Sequence, residues 1–205
     1  IEKEMLEQKY RNYNAKYWQK KTFSPSALIF YLGISKKIKK LIHHNLFFNA
    51  NNEKYIKEIF EEKKWPNDPL FYVCCPSKTD NTVAPNGKEN IFILMPIASG
   101  IEDNEKIREK FFEIIMNKLE KYCNENILPH IEYKKSYCIN DFVEDYNAYK
   151  GNAYGLANTI LQTANLKPKI KNKKINNLFY TGQLTVPGPG VPPAFISAKL
   201  VSEQI

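Results

Sequence analysis

The sequence predicts an α/β chain, α+β in its larger part. It has a mixed or antiparallel sheet under one long helix, then a closing strand, a glycine- and proline-rich loop and a last helix. Three observations carry this. Runs rich in aromatic and β-branched residues recur at 26–34, 46–48, 70–75 and 91–95 with little helical pattern between them. One segment, Asn104 to Cys123, keeps unbroken helical periodicity. The stretch LFYTGQLTVPGPGVPPAFISAK, residues 178–199, stops an apolar run at Gly182 and opens a helix near Pro193.

Residues 1–21 place Met5, Leu6, Tyr10, Tyr13 and Tyr17 at roughly helical spacing and read as an N-terminal helical segment. The first strand, Ser26 to Ile34, is followed by Lys36, Lys37, Lys39 and Lys40, and the second spans Leu46 to Phe48. Glu53 to Lys64 puts Tyr55, Ile56, Ile59 and Phe60 on one face of a short helix that Trp65-Pro66 ends. Strands at Leu70 to Cys75 and Ile91 to Met95 complete the first part of the sheet. Asp103 or Asn104 caps the long helix, which turns Ile107, Phe111, Ile114, Ile115, Leu119 and Tyr122 toward the sheet. A short strand at Ile131 to Tyr137 precedes a polar, aromatic stretch, Asp141 to Tyr154, and an apolar-periodic segment, Leu156 to Leu166. The linker Lys167 to Lys174 leads to a last strand, Asn177 to Thr181, and a last helix, Ala194 to Gln204.

Composition narrows the classes. The 205 residues carry 30 Lys+Arg against 22 Asp+Glu, a net charge of +8, and the 12 Phe, 13 Tyr and 2 Trp supply enough bulk for a core. The longest apolar run, Ala27 to Ile34, is far short of the roughly 18–20 residues that cross a bilayer. Only Arg11 and Arg108 are arginines, so the basic excess is lysine and argues against sequence-specific nucleic-acid recognition. Lys-, Asn- and Ile-rich usage fits an AT-rich genome. Cys74 and Cys75 are adjacent, Cys123 and Cys138 stand alone, and no C-x-x-C is present. That reads as four reduced cysteines in a cytoplasmic protein, with no metal site.

The 178–199 stretch carries the most chemistry. Glycines let backbone amides approach a ligand, prolines pre-set an extended loop, and a helix N-terminus offers partial positive charge. An ordinary β–α connection stiffened by proline accounts for the same spacing. Together with FYVCCPSKTDNTVAPNGKENIFILMPIA (71–98) and YNAYKGNAYGLANTILQTA (146–164), the segment NLFYTGQLTVPGPGVPPAFISAK (177–199) resembles the FAD-dependent carotenoid desaturase family, bacterial phytoene desaturases among them. The resemblance extends over practically the whole chain.

It implies the C-terminal portion of a two-domain, amine-oxidase-like FAD/NAD(P)-binding flavoprotein. Residues 22–145 would be part of a substrate-binding domain and 146–205 the C-terminal segment of the FAD-binding domain. The cofactor would be FAD, lined by Gly182, Gln183, Pro187, Gly188, Pro189, Gly190, Val191 and Pro192. Tyr154, Gly155 and Leu156 would approach the substrate, phytoene or a similar carotenoid. The G-x-G-x-x-G fingerprint that grips the FAD pyrophosphate in this family is absent, and the chain opens on Ile1. The expectation is therefore a fragment missing its N-terminal half, inactive alone.

Asp80 and Lys78, in PSKTD, are the catalytic candidates that the resemblance offers, with a turn-forming Asp as the plainer account. His43-His44 is not expected to act as a pair, because neighbours on a strand point to opposite faces. The Lys36–Lys40 and Lys167–Lys174 clusters suit a solvated face or peripheral contact with anionic lipid at the inner side of the cell membrane. Two other classes stay open: a related FAD-dependent carotenoid oxidoreductase or isomerase, and a non-catalytic basic module that binds lipid or nucleic acid.

Overall fold

The computed structural model describes residues 2–48 and 51–205. Its backbone contacts form two compact units, one of Pro25–Ala153 and one of residues 1–24 with 154–205. The expected divisions lay after residues 21 and 145.

The single helix expected over 1–21 is instead three short pieces: α1 (Glu2–Met5), a 3-10 turn at Gln8–Tyr10, and α2 (Ala15–Gln19). Local side chains break it. Arg11 donates to the carbonyls of Leu6 (2.8 Å) and Lys3 (3.0 Å), and Asn14 restarts a helix by accepting from Tyr17 N. Short polar side chains that bond the backbone compete with helix in this way.

In the larger unit, burial alternates along three of the strands, whereas the first is buried over nearly its whole length and the last is mostly exposed. The strands are β1 (Ser26–Ile34), β2 (His44–Phe47), β3 (Phe71–Cys74), β4 (Glu89–Ile97) and β5 (Ile131–Tyr137), in the order β2-β3-β4-β1-β5. Every pair is antiparallel. Between β2 and β3, α3 (Asn52–Ile56) starts on the Asn51 side chain and continues as a π-helical stretch, Lys57–Glu62. The wider turn leaves Tyr55 and Ile59 buried but Ile56 and Phe60 exposed.

The helix α4 (Glu105–Cys123) begins where Asn104 accepts from Ile107 N at 3.0 Å. It lays Phe111, Phe112, Ile115, Met116 and Leu119 on Phe30, Ile93 and Met95 in one buried cluster. Each such side chain contributes about 1.5–3 kcal/mol. Its inward face is rotated from the expected one: Phe112, Met116 and Cys123 are buried, whereas Tyr122 is exposed. The polar, aromatic stretch after β5 holds an unforeseen helix, α5 (Ile139–Tyr146), whose start is fixed by Cys138 N donating to Asp141 Oδ2 at 2.7 Å.

The smaller unit is built differently. Its buried apolar side chains, among the described residues, are Phe23, Leu156 and Pro168. Polar hubs hold it: Gln162 bonds Thr22 N, Thr22 O and Ala157 O, and Asn172 bonds Tyr10 O, the Tyr180 hydroxyl and the amides of Lys174 and Ile175. The strand expected at 177–181 is a single bridge, Lys171 to Phe179, flanked by the backbone bonds Asn172 N to Leu178 O (2.9 Å) and Tyr180 N to Ile170 O (2.7 Å). Leu156–Leu166 contains only two 3-10 turns. The last helix, α6 (Val191–Ser202), starts three residues before the expected Ala194, since Pro192 and Pro193 fit a first turn that needs no N–H donors. No helix of the described residues is long and apolar enough to cross a membrane.

Candidate functional site

In the smaller unit the chain brings the two expected ligand segments together. A Cβ on Gly155 would stand 2.9 Å from the Gln183 carbonyl oxygen, and Gly155 has φ +74°, so a side chain is barred twice over. Tyr154 beside it is exposed, while Leu156 is fully buried and packs rather than faces solvent. The 182–190 loop is clamped to α6 by Ser197, which has no exposed surface. Its Oγ accepts from Gly182 N (3.1 Å) and lies 3.0 Å from the hydroxyls of Thr181 and Thr185.

Gly190 caps α6 at φ +117° and ψ 160°, a conformation essentially confined to glycine. Because Pro192 and Pro193 carry no N–H and Ala194 N bonds Gly190 O, the donors left without a partner at this helix end, among the described residues, are the amides of Gly190 and Val191. They sit at the positive end of the helix dipole, a place suited to a developing negative charge. These residues fit one wall of a flavin site. None of the eight glycines forms a G-x-G-x-x-G array, so a dinucleotide grip is not among them.

Lys167 differs from the solvated face that the 167–174 lysine cluster suggests. It is instead buried, its Nζ donates to Asn158 Oδ1 at 3.2 Å, and its Cε and Nζ would lie 3.3 and 3.4 Å from a Cβ on Gly188. Burial pushes its pKa below the usual lysine value. A cation held against the loop that carries the cofactor candidates is a feature that composition alone could not separate from its exposed neighbours Lys169, Lys171, Lys173 and Lys174.

The larger unit offers a sheet face opposite α4. Register aligns Leu46, Tyr72, Leu94, Ile29 and Tyr137 in one row across all five strands, and His44, Cys74, Phe92, Tyr31 and Lys135 in the next. The first row is wholly apolar or aromatic, and five strands span about 19 Å. Of the runs Ala27 to Leu32 and Ile91 to Met95, alternate residues thus belong to the core and to this second face.

Lys78 is occupied structurally: its Nζ lies 2.6 Å from Glu89 Oε1 and donates to Ile38 O at 2.5 Å. Glu89 also accepts from Ser77 Oγ and from Cys75 Sγ (3.3 Å). Burial alone would raise its carboxyl, but the hydrogen bonds from Lys78, Ser77 and Cys75 and the Lys78 charge hold it below the usual range. Asp80 is exposed and accepts from Thr82 N and Oγ1, closing a turn. In the first lysine cluster, Lys36 pairs with Glu125 (3.1 Å), Lys37 lies 3.6 Å from Glu89, and Lys40 covers the Tyr122 ring at 4.2 Å.

The histidines do come together. His43 and His44 have ring centroids 4.1 Å apart, against the expectation from strand alternation. His43 precedes β2, where Asn45 bonds Ile42 N (3.1 Å) and Ile42 O (2.7 Å) and turns the chain out of the strand path.

The chain is thus mixed α/β, with one antiparallel five-stranded sheet that carries an apolar row on its second face, and a glycine- and proline-rich loop before its last helix. No family model matches the chain. Along its whole length, however, it is homologous to curated carotenoid desaturases. It is 39% identical over 204 residues to a carotenoid 3,4-desaturase of Haloarcula japonica, covering 100% of this chain and 41% of that one. It is 30% identical over 194 residues to a zeta-carotene-forming phytoene desaturase of Myxococcus xanthus (91% and 37%). A 4,4'-diapophytoene desaturase of Staphylococcus aureus is 34% identical over 191 residues (89% and 38%). The chain thus spans about two fifths of the length of these relatives.

Proposed function

We propose that this chain is the C-terminal part of an FAD-dependent carotenoid desaturase that acts on phytoene or a similar carotenoid. The observation that carries the reading is the alignment of 204 residues, all of this chain, with a carotenoid desaturase. The geometry agrees with it. In this reading Pro25–Ala153 belongs to the substrate domain, whose second sheet face supplies apolar surface for a long isoprenoid. Residues 154–205 close the FAD domain, with Gly182, Gln183, Pro187, Gly188, Pro189, Gly190, Val191 and Pro192 along the flavin and Tyr154 and Gly155 toward the substrate. Exposed apolar residues on α6, Val191, Phe195 and Ile196, pack against the remainder of a longer protein.

A bound flavin would supply the hydride acceptor for one of the two hydrogens lost from neighbouring substrate carbons, the other leaving as a proton. The Gly190 and Val191 amides, at the positive helix end, stabilise the negative charge that develops next to them. Lys167, buried by Gly188, adds a fixed positive charge to that wall. Ser197 holds the loop in place, and the apolar sheet face orients the substrate and excludes water. Peripheral attachment to the inner face of the membrane would rest chiefly on Lys169, Lys171, Lys173 and Lys174, because the first cluster is largely engaged in internal pairs. Co-sedimentation with anionic liposomes that survives neutralising these four would refute that part.

The test of the function is expression of the complete protein with FAD and phytoene, followed by absorbance and mass of the extracted product. A red-shifted polyene lighter by pairs of hydrogens is expected. Unchanged substrate, or a product that gains oxygen without losing hydrogen pairs, overturns the assignment.

A further inference from the structure

Sheet register, a bend and two hydroxyls gather three metal-ligating side chains at the edge of the larger unit. The ladder bond from Cys75 N to His43 O (2.8 Å) leaves His44 and Cys74 as the next, non-hydrogen-bonded pair. At such a position Cα atoms approach to about 4.5 Å and side chains stand closest. The bend held by Asn45 then swings His43 to the same side. One ligand atom from each of His43, His44 and Cys74 lies within 4.8 Å of the others.

Each imidazole is also oriented from behind. His43 Nδ1 is 2.6 Å from Thr79 Oγ1 and His44 Nδ1 is 2.6 Å from the Tyr72 hydroxyl. Nε2 of each makes no hydrogen bond among the described residues and remains open to coordinate. Outer partners of this kind fix the ring and raise its basicity as a ligand. Cys74 is the half-buried one of the four cysteines; Cys75, Cys123 and Cys138 are buried. Burial pushes the Cys75 and Cys123 thiols up to about 11, which keeps them protonated and inert.

From this arrangement we propose that His43, His44 and Cys74 form a binding site for one borderline-soft divalent cation of the zinc type, with an open fourth position. Two imidazoles and a thiolate are a donor set that such ions take in preference to magnesium or calcium. Bonds of about 2.0–2.3 Å put donors around a tetrahedral ion roughly 3.3–3.7 Å apart, so the present cluster closes by about 1 Å on binding. His44 is exposed and has room to make that movement. As the metal–sulfur bond forms, the Cys74 thiol releases its proton to solvent, and water fills the fourth position. The bound ion would tie β2 to β3 and to the turn at Thr79, beside the Phe92 end of the apolar face.

The experiment is titration of the chain with Co2+ as a spectroscopic probe and with Zn2+ in competition. A thiolate-to-cobalt charge-transfer band together with tetrahedral d–d bands is expected, at one equivalent, and displaced by Zn2+. Cys74→Ser abolishes the charge-transfer band, and His43→Ala and His44→Ala each lose the stoichiometric binding. Tyr72→Phe weakens it about 10–100-fold. His130→Ala, which removes the third histidine, hydrogen-bonded at Ser35, leaves it unchanged. Circular dichroism of each variant, matching the parent chain, separates ligand loss from misfolding. The absence of charge-transfer absorption in the folded parent chain, or its persistence in Cys74→Ser, overturns the site.

Discussion

Replacing Glu89 by Gln removes the buried charge around which the PSKTD segment is arranged. Glu89 opens β4 with a side chain that has no exposed surface, facing Lys78 at 2.6 Å and Lys37 at 3.6 Å. Gln keeps the shape and can still accept from Ser77, but it leaves Lys78 without a counter-charge. Removing one partner of a buried pair costs about 3–5 kcal/mol. Lys37 is 46% exposed and turns to water, and Lys78 keeps its bond to Ile38 O, so the low end, about 3 kcal/mol, applies. For a chain of this size that corresponds to a melting point lower by about 6–12 °C.

The assay is urea unfolding followed by tryptophan fluorescence in a Trp18→Phe background. Trp65, stacked on Phe111 with 4.8 Å between centroids, then reports the larger unit alone. The sign with pH follows from the depressed carboxyl: its contribution is full above the unfolded value, about 4.3, and is lost as pH falls through the lower folded value. The gap between parent and variant is therefore widest near neutrality and narrows in acid below about pH 4. A gap below about 1 kcal/mol at pH 7, or one that stays constant into acid, would refute the reasoning. Glu89→Gln combined with Lys78→Met should recover part of the loss, since it removes the stranded cation.

Asn104→Ala deletes the cap of α4 and is expected to cost about 1 kcal/mol in the same urea assay. Leu119→Ala, at a fully buried core position, is expected to cost about 2–5 kcal/mol. Gly155→Ala forces a side chain into a left-handed backbone against Gln183, with about 1–2 kcal/mol of strain before the clash; limited proteolysis should cut the 182–190 loop faster, and an unchanged cleavage pattern would count against the contact. Lys167→Met removes a buried ammonium that has an amide acceptor, Asn158, but no carboxylate partner among the described residues, and should stabilise the isolated chain by about 1 kcal/mol at neutral pH. That gain shrinks as alkaline pH deprotonates the parent lysine, because a lowered folded pKa means the folded state resists the charged form.

How much was legible in the sequence follows from what holds each unit together. In the larger unit, alternation and helical periodicity are direct images of burial. Leu70 to Cys75 and Ile91 to Met95 therefore fall on β3 and β4, whose burial alternates, and Asn104 to Cys123 on α4 and its cap. One exception arises where a single polar group decides the path, Asn45 turning His43 out of alternation; α5, started by Asp141, does carry a short apolar stripe, with Ile139, Phe142, Val143 and Tyr146 at i, i+3, i+4 and i+7, masked in the sequence by the polar residues around it. In the smaller unit hydrophobic patterning predicts little, because Asn172, Gln162 and Ser197 organise the backbone and an amide or hydroxyl leaves no periodic trace. The 182–190 loop is legible in the sequence through its glycines and prolines, since those residues act on the backbone directly. Its supports are not: Ser197 looks like one small residue among several, and Lys167 like one lysine of a linker. A buried cation is recognisable only once the fold shows what surrounds it, which makes Lys167 and the His43–His44–Cys74 cluster the positions where structure adds most to the reading of this chain.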